Sequence, residues 1–483
     1  MNRGSITNVA RRADQWLEAH REELIREIQA MVRIPSVSCP GEAKPGAPFG
    51  GACRRVLDHA LERGRAYGFD TEDLDGYAGV ISMGNRENAI GMIAHLDVVP
   101  VGDGWIYPPF EAVYLPEHDA IIGRGADDNK GPAVMGLFVM RMLREWGIPL
   151  RHGLTLYLGT SEENGMHDMS ALRKNGHAFP KLSLVPDAGF PVNYGQKGSL
   201  KGFIRTRAEG NLLSFEAGNA FNVIPDRAEC VIIAEKEKVR TALEALPEEL
   251  KKRLTVETAD GGARIIAAGQ SGHAAHPDGS VNAIGVLSEA LALSGLLTGS
   301  AAQAVAGLHR LTQDNNGISE GVFFEDEISG PITLVYSMAS FSGGVLRVGL
   351  DSRYPITCPG GELQSSLIRA WAELGFVPDE LDRTDPFYID KESPYVTALQ
   401  EVHHTLTGRD DPPYTMGGGT YSRAVPNAIS FGPGVPGPSR VREFLPEGHG
   451  GAHGRDEALL LEKVTRCARI YAAALMELDG LVP

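Results

Sequence analysis

The sequence predicts an α/β protein: a mainly parallel sheet flanked by helices, carried by a split domain into which an α+β domain is inserted. Three observations predict it. Short apolar runs alternate with helical stretches through about the first 190 residues, the pattern of strands and crossover helices in a parallel sheet. Beyond about residue 198 the pattern changes to runs of strands with isolated helices, and it returns near 390. The chain has 483 residues, room for two or three domains.

The elements follow in order. Trp16, Leu17, Leu24, Ile28 and Met31 recur at three-to-four-residue spacing before Pro35, which predicts a helix over 13–32. Residues 33–53 are rich in Pro and Gly and read as loop. A helix resumes over 54–67, ending near Gly68. AIGMIA at 89–94 has the character of a buried strand. GPAVMGLFVMRMLREW at 131–146, with Gly147 and Pro149 after it, reads as a buried helix with an ordinary C-terminal stop. Strands are expected at 154–159 and 182–186, with a helix at 168–176 between them. In the insertion, strands are expected at 200–209, 228–236, 264–268, 332–337 and 345–351, and helices at 237–252, 281–297 and 367–374. Helix 394–407, strand 427–431 and helix 456–477 complete the α/β part. The expected boundaries are 1–198 and 390–483 for the split domain and 199–389 for the insertion.

Composition narrows the partners. The net charge is -16 and the pI about 5.4, so phosphate backbones and anionic membranes are repelled, and neither nucleic acid nor membrane is an expected partner. No apolar stretch approaches the ~18 residues of a spanning helix. The N-terminal MNRGSITNVARRADQWLEAH lacks the apolar core of a signal peptide. Five scattered cysteines without a CxxC pair read as free thiols in a reducing compartment, and the expected location is cytoplasmic.

Four clusters carry the chemistry: His95-Leu96-Asp97, Asp127-Asp128, Glu162-Glu163 and Asp187. They recur at roughly the ~30-residue length of one β–α unit. Each unit would therefore deliver its group to one carboxyl edge of the sheet, where open α/β sheets place ligands. Each cluster also has a plain alternative. His95 with Asp97 is then a surface pair, Asp127-Asp128 a helix cap, Glu162-Glu163 a solvated helix start and Asp187 a turn cap. Order, spacing and strand-end position together favour the site. Imidazole and carboxylate donors without thiolates suit two divalent ions, zinc first, with manganese or cobalt as substitutes. Carboxylates from Asp128, Glu163 and Asp187 plus one bridging hydroxide would neutralise two such ions and leave Glu162 unbound.

MIAHLDVVPVGDGW, GRGADDNKGP, TSEENG, VPDAGFPV, FNVIPDRAE, GHAAHPDGSVNA, GGGTYSRAVPNAISFGPG and GGAHGRDE run through nearly the whole chain. In these segments it resembles the dinuclear metallopeptidases that include carnosinases, carboxypeptidase G, aminoacylases and succinyl-diaminopimelate desuccinylases, and most of all their long bacterial dipeptidases of the peptidase V type. The resemblance implies hydrolysis of dipeptides or similar short substrates with a free carboxylate, through a metal-bridging water. It implies His95 and Asp187 on one metal, Glu163 and His453 on the other, and Asp128 bridging across a cis Asp128–Asn129 peptide. Asp97 would hold the second ring nitrogen of His95, and Glu162 would be general base and acid. The resemblance makes 1–198 and 390–483 the catalytic domain and the insertion its lid, in which Asn222 and His273 would clamp substrate and its oxyanion, and Arg353 would take the substrate carboxylate. Gly418, Gly419 and Thr420, ahead of helix-like sequence, would offer backbone N–H groups to that carboxylate; a flexible turn is the other reading.

Rivals stay open. His449 competes with His453, whose spacing to Asp456-Glu457 favours it, and His276 competes with His273. His403-His404 is expected at the surface of a helix. An insertion longer than the common ~100–150-residue domain implies that the lid completes the site within one chain, hence a monomer. A deacylase or desuccinylase of the same fold, and a non-catalytic binding protein retaining it, are the alternatives.

Overall fold

The computed structural model describes residues 1–437 and 439–483. It divides into two compact units: residues 1–194, 389–414 and 419–483 form the first, and 195–388 with 415–418 form the second.

The first unit is built on a sheet with strand order Asp70–Leu74, Ala78–Met83, Gly153–Gly159, Ala89–His95, Leu182–Val185, Ala428–Phe431 and then the strand beginning at Val192. The four strands from Gly153–Gly159 to Ala428–Phe431 run parallel. The flanking pairs are antiparallel. Ala89–His95 and Gly153–Gly159 are buried at every residue, which is why they read as uninterrupted apolar runs. Helix Gly131–Glu145 packs on the sheet and on the C-terminal helix Leu461–Leu481. The helix expected over 13–32 is two, Arg3–Ala19 and Arg21–Val32, broken at His20.

Register sets the site edge. His95 pairs with Gly159, so residues 160–163 emerge beside the His95 strand end. Met92 pairs with Leu184, and carrying that parallel register forward brings Asp187 level with His95.

Asp128 departs from the expected plan. The strand that precedes it, Ala120–Ile122, belongs to a separate three-stranded sheet with Val113–Leu115 and Ala458–Leu460. Asp128 therefore reaches the site from the turn ahead of helix Gly131–Glu145, not from a strand of the main sheet. The same small sheet brings the 453–457 segment to that turn.

The second unit is an antiparallel sheet of eight strands, in the order Leu254–Ala259, Gly262–Ala268, Arg227–Ile232, Leu212–Ala217, Thr333–Ser342, Val345–Tyr354, Gly198–Arg207 and Val377–Thr384. Helices Ala283–Ser294, Ser300–Leu311 and Gly360–Glu373 share one continuous core with it. Strands Leu212–Ala217, Leu254–Ala259 and Val377–Thr384 and helix Ser300–Leu311 were not anticipated. Among the described residues no helix is long and apolar enough to cross a membrane.

Candidate metal centre

Five side chains far apart in the chain converge in the first unit. They form two donor groups, His95–Asp128–Asp187 and Asp128–Glu163–His453, with the atoms of each group within 4.8 Å of one another. Asp128 belongs to both and divides its oxygens between them. Its Oδ1 lies 3.0 Å from His95 Nε2, and its Oδ2 lies 3.2 Å from His453 Nε2. Asp187 Oδ1 lies 3.9 Å from His95 Nε2, and Glu163 Oε1 lies 2.9 Å from His453 Nε2. The Asp128–Asn129 peptide is cis.

The environment of His95 tests whether a cation fits. Its Nδ1 is 2.9 Å from the backbone carbonyl oxygen of Asp97, so Nδ1 donates to it, and Nε2 faces the carboxylate oxygens of Asp128 and Asp187. Such a buried arrangement needs a positive charge between nitrogen and oxygens. Burial opposes charge on the ring, but the carboxylates of Asp128, Asp97 and Asp187 outweigh it and raise the imidazole well above its ordinary range. His453 is raised to about 10 by Asp128 and Glu163. Burial opposes ionisation of Asp128, yet His453 and His95 hold it below the usual carboxylate range. Burial and then Asp128 raise Asp187. Two three-donor groups of imidazole and carboxylate sharing one carboxylate suit a pair of divalent ions.

Asp97 faces the second ring nitrogen of His95 and has a further job. Its carboxylate is 3.5 Å from His95 Nδ1, and it accepts the backbone N–H groups of Glu162 at 3.0 Å and Glu163 at 3.1 Å. The shorter bond to the His95 ring comes from the Asp97 backbone, while the Asp97 side chain also holds the two glutamates. Glu162 Oε1 is buried without a hydrogen-bond partner among the described residues. Burial, with Asp187 next, raises the Glu162 carboxyl well above its ordinary range.

Several supporting residues escaped the sequence reading. Glu457 is fully buried and accepts four donors: Arg124 Nη1 at 2.8 Å, and the backbone N–H groups of Gly125, Asp127 and Asp128 at 2.9, 2.8 and 2.9 Å. It therefore shapes the turn that presents Asp128. Asn129 Nδ2 donates to Asp187 Oδ1 at 3.1 Å, and Lys463 donates to Asp127 at 2.6 Å. The acidic end of GGAHGRDE was the available signal for Glu457, but its partners lie more than 300 positions away.

The rival histidines separate. His449 is hydrogen-bonded to Asp456, which also accepts the Ile106 and Tyr107 N–H groups, and it joins neither donor group. His403 is not at the surface as expected; it is buried and stacked on Phe190, with ring centroids 5.4 Å apart. Its neighbour His404 is partly exposed.

In the second unit, Val223 pairs with His273, and the carbonyl of the preceding Asn222 accepts the Ala274 N–H at 2.9 Å. His273 Nδ1 accepts the Ala275 N–H at 3.1 Å, which leaves the ring proton on Nε2. Burial and nearby Arg353 lower its pKa. His276 lies 6.3 Å from it, ring to ring. Arg353 is already paired: Nε and Nη2 donate to Asp351 at 2.6 and 2.8 Å, and Nη1 donates to the Gly417 carbonyl at 3.1 Å. The helix expected after Gly418, Gly419 and Thr420 is a turn over 421–424, so no helix N-terminus stands there. Thr420 is buried, with its hydroxyl 2.8 Å from that of Ser430.

Residues 91–477 match the model described as Peptidase family M20/M25/M40. A Bacillus subtilis (strain 168) protein named "Putative dipeptidase YtjP" is 30% identical over 469 residues, covering 95% of this chain and 97% of its own length. A Staphylococcus epidermidis protein that also bears a dipeptidase name is 31% identical, covering 86% of this chain and 90% of its own. Among solved structures, human carnosine dipeptidase 1 matches with a TM-score of 0.56 at 13% identity, covering 98% of this chain and 100% of that one. The Saccharomyces cerevisiae di-peptidase Dug1p matches with a TM-score of 0.59 at 14% identity, covering 99% of each. At these identities the structural likeness is one of fold.

Proposed function

Since this chain belongs to the M20/M25/M40 peptidase family, we propose that it is a dinuclear-metal dipeptidase acting on dipeptides or similar short substrates with a free carboxylate. The observation that carries this reading is the division of Asp128, one oxygen toward His95 and the other toward His453. The donor chemistry favours zinc, with manganese or cobalt as substitutes. Bound ions would supply polarisation of the amide carbonyl and an acidified water.

The protein's own groups do the rest. His95 and Asp187 would hold one ion and Glu163 and His453 the other, with Asp128 shared between the two donor groups. Asp97 fixes the glutamate pair through its two backbone bonds. Glu162, with Oε1 uncommitted among the described residues and its carboxyl raised by burial, takes the proton of the attacking water and passes it to the leaving amine. In the second unit, His273 carries a ring N–H suited to a developing oxyanion, and Asn222 would be the other part of the clamp. Arg353 has two N–H groups beyond the three it already uses, and these suit the substrate carboxylate. The enlarged insertion supports a monomer, and an obligate dimer in light scattering would remove that part.

The test is Glu162→Gln. Metal content should be kept while kcat falls by about 10²- to 10⁴-fold. Near-normal turnover would remove Glu162 as the base. A panel of dipeptides against N-acyl amino acids tests the substrate class, and a preference for the acyl compounds would overturn it.

A further inference from the structure

The two residues ahead of the glutamate pair are held by a second buried carboxylate. Asp168 Oδ2 accepts the backbone N–H of Thr160 at 2.7 Å and of Ser161 at 2.9 Å. The same oxygen accepts the hydroxyl of Tyr421, 253 positions away in the chain, and Asp168 Oδ1 accepts the Met169 N–H at 2.6 Å. With Asp97 on Glu162 and Glu163, two carboxylates grip four consecutive N–H groups, residues 160 to 163.

Asp168 and Tyr421 are both fully buried, and among the described residues no cationic side chain pairs with Asp168. A buried carboxylate without a cation is costly, and a neutral serine or threonine oxygen can cap a turn. The strand end is also bare to admit the pair. A Cβ on Gly159 would lie 1.9 Å from Tyr421 Oη and 2.5 Å from Asp168 Oδ2. Tyr421 also meets the His95 ring edge-on, with centroids 6.4 Å apart.

We propose that Asp168, oriented by the Tyr421 hydroxyl, is a positioning residue that fixes the chain at Thr160–Ser161 so that Glu162 is delivered in its proton-transfer geometry. The proposal rests on the reading of Glu162 as the base. It acts through backbone rather than through contact with substrate. Restricting the two residues before Glu162 limits where its Cα can sit, and misplacement near 1 Å is enough to cost about 100-fold in rate.

Tyr421→Phe removes one hydroxyl and keeps the ring. We expect kcat to fall by about 10-fold or more, with KM and bound metal per chain unchanged. Deuterium uptake over residues 159–164 should rise. In the Glu162→Gln background the same substitution should add no further loss, because both act on one proton transfer. Asp168→Asn should repeat the pattern more strongly. A lowered melting temperature with kcat unchanged would overturn the proposal, as would losses that multiply in the double variant. Unchanged deuterium uptake in Tyr421→Phe would overturn the clamp whatever base the enzyme uses. Failure of the base reading itself would show separately, as near-normal turnover in the Glu162→Gln parent.

Discussion

Glu320 should make the second unit lose stability as pH rises through neutrality. Tyr336 donates its hydroxyl to Glu320 Oε1 at 2.8 Å and accepts the Trp371 indole N–H at 2.9 Å. Burial pushes the Glu320 carboxyl up to about 7; Asp314 adds to the rise, while Tyr336 and Arg310 oppose it. The folded-state pKa thus exceeds the unfolded value of 4.5. Below about 4.5 both states are protonated and nothing is lost. Between 4.5 and 7 only the unfolded chain ionises, so stability falls with rising pH by up to about 1.4 kcal/mol per pH unit. Above 7 the full loss of about 3 kcal/mol has accrued. Glu320→Gln imitates the protonated acid at every pH and keeps the oxygen that accepts from Tyr336. At pH 5 it should match the parent closely; at pH 8 it should be more stable by up to about 3 kcal/mol. Urea unfolding followed by fluorescence is the assay. Trp371 is the sole tryptophan of the second unit, and substituting the other three with phenylalanine isolates its signal. A variant with the parent's slope between pH 5 and 8, or less stable at pH 8, would refute the reasoning.

Two further outcomes follow from the metal centre. His453→Ala should lower bound metal toward one ion per chain in elemental analysis, whereas His449→Ala should leave the stoichiometry unchanged, since its ring is engaged by Asp456; the reverse would exchange their roles. Glu457→Ala strips buried Arg124 and three backbone N–H groups of their acceptor, and should cost the first unit about 3–5 kcal/mol in urea unfolding with chelator present. A cost under about 1 kcal/mol would show that the turn before Asp128 does not depend on it.

Much of the architecture was legible in local composition. The runs 89–94, 154–159 and 182–186 predict strands within a residue or so of Ala89–His95, Gly153–Gly159 and Leu182–Val185. Strands buried on both faces must be apolar throughout, so burial is written into each residue. The exposed edge strands were not legible. Asp70–Leu74 and Val377–Thr384 are mostly polar, and what makes them strands is the neighbour that supplies their hydrogen bonds. Local sequence has no record of that neighbour.

The site divides along the same line. His453 came from the resemblance to a known family; residue types and spacing were enough to nominate the clusters that hold His95, Asp128, Glu163 and Asp187, because donor chemistry is a property of the side chain itself. Which acceptor each donor meets is not. The carboxylate of Asp97 serves the glutamate backbone, and the Asp128 turn hangs on Glu457, 329 positions away in the chain. Arg353 is engaged by Asp351, two residues away on the same strand. A hydrogen bond is settled by positions to within a few tenths of an ångström, and those positions arise only after the packed core has placed distant segments together.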